Sequence, residues 1–110
     1  MVGKHFILDI FECDERSISF VKPIQELCNN LVKVLELKKV EEAYKQFQPV
    51  GVTGILLLEE SHLSIHTWPE KRYAALDVFS CRPFDVTKVE GLVIKCFKTK
   101  ILKPTLIDRG

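Results

Sequence analysis

Three strand-like segments follow one another in the middle of the chain with almost no residues between them. Residues 52–59 contain an apolar run, residues 61–67 alternate apolar and polar side chains, and residues 73–81 are again strand-like. Alternation with a period of two is the pattern of a strand with one buried face. Since each segment follows the last almost at once, the chain is predicted to form an antiparallel sheet here.

Three further segments are predicted to be strands. Residues 4–13 are apolar on both faces, which favours a central position in the sheet, and residues 100–107 form the last strand. Residues 39–47 are ambiguous, and a strand is preferred there. The sheet should therefore recruit segments from both ends of the chain.

Two segments have the spacing of amphipathic helices. Apolar residues recur every three or four positions across residues 18–37, where Pro23 is tolerated only because it lies in the first turns. A second helix is predicted after Asp85, a plausible N-cap. Its apolar face comprises Val86, Val89, Val93, Cys96 and Phe97.

These elements predict an α+β fold: a two-layer sandwich in which two helices cover one face of an antiparallel sheet. The length of 110 residues supports one domain, residues 1–110. Several strands are apolar on both sides, so the face without helices also needs cover. We therefore expect a homodimer in which two sheets stack face to face.

Composition excludes several classes of protein. The net charge is +1, so neither a nucleic acid nor a membrane surface is an expected partner, and no apolar run is long enough to span a membrane. The N-terminus lacks a signal-peptide pattern, which favours a cytoplasmic protein. The four cysteines form no CxxC pair and have no nearby histidine, so we expect free thiols and no metal site.

Potentially reactive side chains concentrate in residues 59–70. Ser61 and His66 are five positions apart and so lie on opposite faces of a strand, unless the chain bends at Ser61. With Asp77 as the orienting carboxylate, a hydrolase triad is conceivable, but the GxSxG turn of such enzymes is absent. The residues alone favour the polar face of a surface hairpin.

A longer pattern carries more information. Residues 60–70 read ESHLSIHTWPE and residues 73–81 read YAALDVFSC. Together they closely resemble the prokaryotic S-adenosylmethionine decarboxylase proenzymes, which are pyruvoyl-dependent enzymes of polyamine synthesis. The resemblance extends to FQPVGVTG at residues 47–54 and to GKHFILDIFECD at residues 3–14.

The resemblance implies that the chain cuts itself between Glu60 and Ser61. Ser61 would become a pyruvoyl group at the start of an α chain, residues 61–110, paired with a β chain, residues 1–60. This cofactor would form a Schiff base with S-adenosylmethionine and act as an electron sink while carbon dioxide leaves. The product, decarboxylated S-adenosylmethionine, is the aminopropyl donor for spermidine.

The resemblance also implies roles for individual residues. His66 would assist processing by removing the Ser61 α-proton, with support from the Thr53 hydroxyl. Cys81 would return a proton to the decarboxylated carbon. The remaining roles concern the substrate, which would be bound by the aromatic rings of Phe47 and Trp68 and by Glu70, a candidate for the ribose hydroxyls.

Two alternatives remain at this stage. Relatives of the fold decarboxylate arginine or ornithine with the same cofactor, and the processing motif does not choose the substrate. The other is an unprocessed, non-catalytic homologue, against which the intact Glu60–Ser61 pair, His66 and Cys81 argue. Family members commonly have glycine after the catalytic cysteine, whereas here Arg82 and Pro83 follow.

Overall fold

The computed structural model describes residues 2–110 and contains six strands and two α-helices. The elements are β1 (Gly3–Phe11), α1 (Val21–Val34), β2 (Lys39–Gln46), β3 (Val52–Leu58), β4 (Ser61–Trp68), β5 (Tyr73–Ser80), α2 (Val86–Phe97) and β6 (Ile101–Arg109). The strands form one sheet in the order β2-β3-β4-β5-β1-β6, and every neighbouring pair is antiparallel. The predicted α+β class and the central position of β1 are confirmed.

The hydrophobic core lies between the sheet and the two helices. Alternate residues of β1, Phe6, Leu8 and Ile10, are buried there, as are their counterparts in β3, β4 and β5. The helices contribute apolar side chains at helical spacing: Ile24, Leu27, Cys28, Leu31, Val89, Val93 and Phe97. Within residues 2–110, no helix is long and apolar enough to cross a membrane.

The first predicted helix is shorter than its apolar pattern suggested. Residues 18–20 lie outside α1, which begins at Val21, and a separate 3-10 helix spans Glu15–Ile18. Pro23 explains the difference, because inside a helix its ring would clash with the carbonyl of Ser19, four residues earlier. The second helix begins where predicted: the Asp85 side chain accepts a hydrogen bond from the Thr87 N–H at 2.9 Å.

The ambiguous segment after α1 is an edge strand, β2, as preferred from the sequence. Glu42 ties β2 to α1, accepting hydrogen bonds from Lys39 Nζ at 2.9 Å and from Asn29 Nδ2 at 3.0 Å. The Tyr44 hydroxyl donates to the same carboxylate at 2.9 Å. These bonds, above all those from Lys39 and Asn29, lower the pKa of Glu42 to about 2.

The face of the sheet without helices, here called the open face, carries exposed apolar side chains. Ile55 and Leu57 of β3 are 51% and 53% exposed, and Ile107 of β6 is also exposed. Ile55 and Leu57 lie on the same face of β3, so they expose neighbouring apolar surface of the kind that a partner covers. The sheet face without helices that the sequence predicted is present, and we expect a second copy of the chain to pack against it.

Candidate active site

The junction between Glu60 and Ser61 lies in a tight hairpin. Leu58 of β3 pairs with Ser61 of β4, which leaves only Glu59 and Glu60 in the turn. Glu60 has a φ of 54°, in the left-handed region. For a residue with a side chain, this conformation costs about 1–2 kcal/mol. The peptide bond predicted to be cut therefore follows a conformationally strained residue.

The Ser61 hydroxyl faces the helix layer and has one side-chain partner. Ser61 Oγ donates to Ser80 Oγ at 3.3 Å, and Ser61 pairs with Ser80 across β4 and β5. Ser80 is 1% exposed and also accepts a hydrogen bond from the Arg82 N–H at 3.0 Å. Ser80 was not among the predicted site residues, although it lies within the matched segment at residues 73–81.

Cys81 contacts the carbonyl group on the other side of the same junction. Its Sγ donates to the Glu60 backbone oxygen at 3.0 Å. Gly3 allows β1 to pass close to the end of β5, because a Cβ on Gly3 would lie only 2.6 Å from the Ser80 backbone oxygen. The end of β5 thus places the Cys81 thiol beside Glu60 and the Ser80 hydroxyl beside Ser61, the two residues that flank the bond predicted to be cut.

A second group of predicted residues lies at the far end of β4. Thr53 and His66 pair across β3 and β4, and Thr53 Oγ1 is 3.0 Å from His66 Nδ1. They line a cavity of about 280 Å³ that also contains the three predicted substrate-binding residues. The full lining is Phe47, Val50, Gly51, Thr53, His66, Thr67, Trp68 and Glu70.

Aromatic rings form one side of this cavity. Trp68 stacks on Tyr73 of β5 with ring centroids 5.3 Å apart and an interplanar angle of 27°. Trp68 and Phe47 remain 37% and 46% exposed, so both rings have free surface for a ligand. Tyr73, for which the sequence indicated no role, thus supports the Trp68 ring from one side.

Gln46, another residue missed in the sequence, anchors the loop that carries Phe47. Its Nε2 donates to the oxygens of Ser19, Phe47 and Gly51 at 2.9–3.1 Å, and its Oε1 accepts from the Val21 N–H at 2.9 Å. This loop is thereby tied to the start of α1. The only signal in the sequence was the position of Gln46 directly before Phe47.

Within one chain, the two groups of residues are far apart. Ser61 lies on the helix side of β4 and His66 on the open face, and five strand residues span about 16 Å. Asp77 pairs with Ser64 and its carboxylate lies 3.9 Å from His5 Nε2. A triad of Ser61, His66 and Asp77, which was conceivable from the sequence, is therefore not formed within one chain.

His5 and His62 lie together on the open face, with ring centroids 6.0 Å apart. Burial, together with the nearby His5, lowers the pKa of His62. Among residues 2–110, His5 Nε2 has no hydrogen-bond partner, and no cluster of three or more His, Cys, Asp or Glu side chains could hold a metal ion.

Comparison with known proteins gives a consistent assignment. A sequence model described as S-adenosylmethionine decarboxylase matches residues 4–110. A protein named S-adenosylmethionine decarboxylase proenzyme from Aquifex aeolicus is 46% identical over 110 residues, covering 99% of this chain and 82% of that protein. One with the same name from Archaeoglobus fulgidus is 41% identical, covering 100% of this chain and 99% of its own.

The fold agrees with that assignment. The crystal structure of the adenosylmethionine decarboxylase from Aquifex aeolicus superposes with a TM-score of 0.90 at 36% identity, covering 99% of this chain and 91% of that one. The chain is therefore an enzyme of the decarboxylase class. It belongs to the S-adenosylmethionine decarboxylase family, which confirms the resemblance noted in the sequence.

Proposed function

We propose that this protein is a self-processing, pyruvoyl-dependent decarboxylase of S-adenosylmethionine. It would release carbon dioxide and decarboxylated S-adenosylmethionine, the aminopropyl donor for spermidine. The observation that carries the proposal is the arrangement at the hairpin. Cys81 Sγ lies 3.0 Å from the Glu60 backbone oxygen, and the next residue, Ser61, carries the hydroxyl that would attack the Glu60 carbonyl carbon. The family assignment supplies the reaction class.

The first step of self-processing converts an amide into an ester. A bond forms between Ser61 Oγ and the Glu60 carbonyl carbon while the bond from that carbon to Ser61 N breaks, and the hydroxyl proton ends on the freed amine. The conversion is uphill unless the peptide is strained or the developing oxyanion is stabilised. Glu60 supplies strain through its left-handed φ, and Cys81 supplies a donor to the carbonyl oxygen.

The second step is an elimination that releases Glu60 as a carboxylate. It removes the Ser61 α-proton, and water then hydrolyses the dehydroalanine that remains, releasing the Ser61 nitrogen as ammonia and leaving a pyruvoyl group on residue 61. The pyruvoyl carbonyl supplies an electron sink for decarboxylation, the task that pyridoxal phosphate performs in other enzymes. Residues of this chain that adjoin its position are Ser80 and Cys81.

The cavity at the far end of β4 suits the substrate. Phe47 and Trp68 offer partly exposed rings, which stack on an adenine base and attract a sulfonium cation. The Glu70 carboxylate lies in the same cavity and is an acceptor for ribose hydroxyls. Arginine and ornithine lack an adenine, so two exposed aromatic rings favour S-adenosylmethionine over either.

The distance between the two groups of residues supports a homodimer. If His66 removes the Ser61 α-proton, the two must come from different chains, because one chain holds them about 16 Å apart on opposite faces of the sheet. Packing of two open faces would bury Ile55, Leu57 and Ile107 and bring a second chain to each hairpin. The expected protein is thus a dimer of cleaved protomers with shared active sites.

Intact-mass measurement of the purified protein tests the processing step. We expect two chains, residues 1–60 and 61–110, with a pyruvoyl group on the second, and a single inactive chain for Ser61→Ala. A decarboxylation assay on S-adenosylmethionine, ornithine and arginine, run side by side, tests the substrate. An uncut wild-type chain after long incubation would refute the proposal, and a preference for ornithine or arginine would refute the assignment of the cavity.

Coexpression of two differently tagged variants tests the shared site. Ser61→Ala retains His66 and His66→Ala retains Ser61, so a mixed dimer contains one complete pair only if the pair spans two chains. We expect the His66→Ala chain to be cut when Ser61→Ala is present and to be cut much more slowly alone. Equal cutting with and without Ser61→Ala would place the pair within one chain.

A further inference from the structure

Ser80 is a buried hydroxyl beside the nucleophile of the proposed self-cleavage. It is 1% exposed, and its Oγ accepts hydrogen bonds from the Ser61 hydroxyl at 3.3 Å and from the Arg82 N–H at 3.0 Å. Both lone pairs of the Ser80 oxygen are then engaged. The hydroxyl is held by its backbone partner and in turn holds the Ser61 hydroxyl.

The bond to Arg82 has an ordinary structural explanation. A serine hydroxyl that accepts from the N–H two residues later stabilises a local turn, and β5 ends at this point. The bond to Ser61 also gives two buried hydroxyls a partner across β4 and β5, as polar cross-strand pairs commonly do, whereas the pairing of the two strands is already fixed by the backbone ladder. What the side-chain bond determines is the direction of the Ser61 O–H group.

That direction affects the attack on the Glu60 carbonyl. When the Ser61 proton points at Ser80, the lone pairs of Ser61 Oγ are left free to approach the Glu60 carbon. Without Ser80, the Ser61 hydroxyl would rotate freely or donate elsewhere, and fewer precursor molecules would hold it ready for attack. Correct orientation of reacting groups contributes strongly to the rate of an intramolecular reaction.

We propose that Ser80 is a positioning residue for self-cleavage: it orients the Ser61 hydroxyl for formation of the ester at Glu60. The inference rests on the proposed function, since it concerns the same junction. It adds a requirement beyond Ser61, His66 and Cys81, namely a hydroxyl on β5 directly opposite the nucleophile. It also assigns Ser80 to the first step, formation of the ester, and not to the elimination that follows.

The test measures the rate at which freshly made precursor is cut. The full-length chain is produced by cell-free synthesis, and the uncut fraction is followed by intact mass for wild type, Ser80→Ala and Ser80→Thr. We expect Ser80→Ala to cut about tenfold more slowly, from loss of orientation at the reacting atom. Ser80→Thr keeps the hydroxyl and should cut faster than Ser80→Ala.

A matched control separates orientation from general loss of stability. Ser17→Ala removes another hydroxyl that donates to a side chain, Asp14 Oδ2 at 2.7 Å, in the 3-10 helix before α1. It should lower the melting temperature without slowing the cut. If Ser17→Ala and Ser80→Ala slow the cut equally, Ser80 acts only through stability and the inference is overturned.

Hydroxylamine identifies the step that is slowed, because it cleaves esters and leaves amides intact. If Ser80 acts in ester formation, hydroxylamine will not restore rapid cutting of Ser80→Ala. Restoration would mean that the ester accumulates and Ser80 acts later, which overturns the assignment, as would wild-type cutting by Ser80→Ala. A wild-type chain that is never cut would instead refute the proposed function, and the inference with it.

Discussion

Replacement of Cys81 tests the contact at the hairpin most directly. Cys81→Ala removes the thiol that donates to the Glu60 oxygen at 3.0 Å and leaves the turn and the Ser61 hydroxyl in place. Loss of one oxyanion donor slows acyl transfer about 100- to 1000-fold when that donor is strong. A thiol is a weak donor, so we expect a smaller effect, a slowing of self-cleavage by about 10- to 100-fold.

Cys81→Ser gives an intermediate case. A hydroxyl is the stronger donor, but the C–O bond is shorter than the C–S bond, so the oxygen would lie farther from the Glu60 oxygen than the sulfur does. We therefore expect Cys81→Ser to cut faster than Cys81→Ala and more slowly than wild type. The assay is the decay of intact mass with time, with Ser61→Ala as the uncut reference.

The mature form of Cys81→Ser tests the second role proposed for this residue. A thiol can act as a general acid and deliver a proton to the decarboxylated carbon. Without it, turnover should be slow, and errors in proton delivery should leave alanine in place of the pyruvoyl group at residue 61. Mass spectrometry of that terminus after turnover detects the alanine.

Two results would refute this reasoning. Self-cleavage of Cys81→Ala at the wild-type rate would show that the contact with Glu60 does not assist the cut. Full activity of Cys81→Ser without excess alanine would leave Cys81 as a structural thiol.

Three further predictions concern other parts of the molecule. Trp68→Ala should raise KM for S-adenosylmethionine about 5- to 150-fold, from loss of about 1–3 kcal/mol of stacking, with little effect on self-cleavage; an unchanged KM would make Trp68 structural. The pKa of Glu42 is lowered from 4.5 to about 2, so the stabilisation that its carboxylate provides is present above pH 4.5 and is lost as the pH falls through 2. Denaturant unfolding should therefore show a lower free energy of unfolding for Glu42→Gln than for wild type at pH 7, and this difference should vanish near pH 2. Burial raises the pKa of Cys13 to about 11 and of Cys28 to about 12, so iodoacetamide at pH 8 should label the more exposed Cys81 first, which peptide mapping would check.

Much of the sheet was predictable because its strands have strong local patterns. The alternation in β4 places Leu63 and Ile65 in the core and leaves His62 and His66 on the open face. The start of α1 was less predictable, since the apolar spacing continues back to Ile18 although Pro23 prevents α1 from including Ser19. Periodicity reports which face of a segment is buried and is a poor guide to where the segment begins.

The candidate site was only partly predictable, because its geometry depends on strand register. A motif names Ser61 and His66 together, whereas the sheet places them on opposite faces. The partners Ser80 and Gln46 make their contacts across 19 residues and across 25–27 residues of sequence, respectively. No local sequence pattern encodes such contacts. The contact of Ser80 depends on the pairing of β4 with β5, and the contacts of Gln46 depend on how β2 lies against the start of α1.

The order of strands in the sheet has a consequence for a chain cut after Glu60. The first fragment would hold β1, β2 and β3, and the second β4, β5 and β6, yet β1 lies between β5 and β6. Separation would break three strand pairs, β3 with β4, β5 with β1, and β1 with β6, so the cut enzyme should stay assembled. Once unfolded, however, it would have to find its other half by diffusion, so its recovery would depend on concentration while that of the uncut Ser61→Ala protomer would not. The cut would thus turn a folding reaction within one chain into an encounter between two.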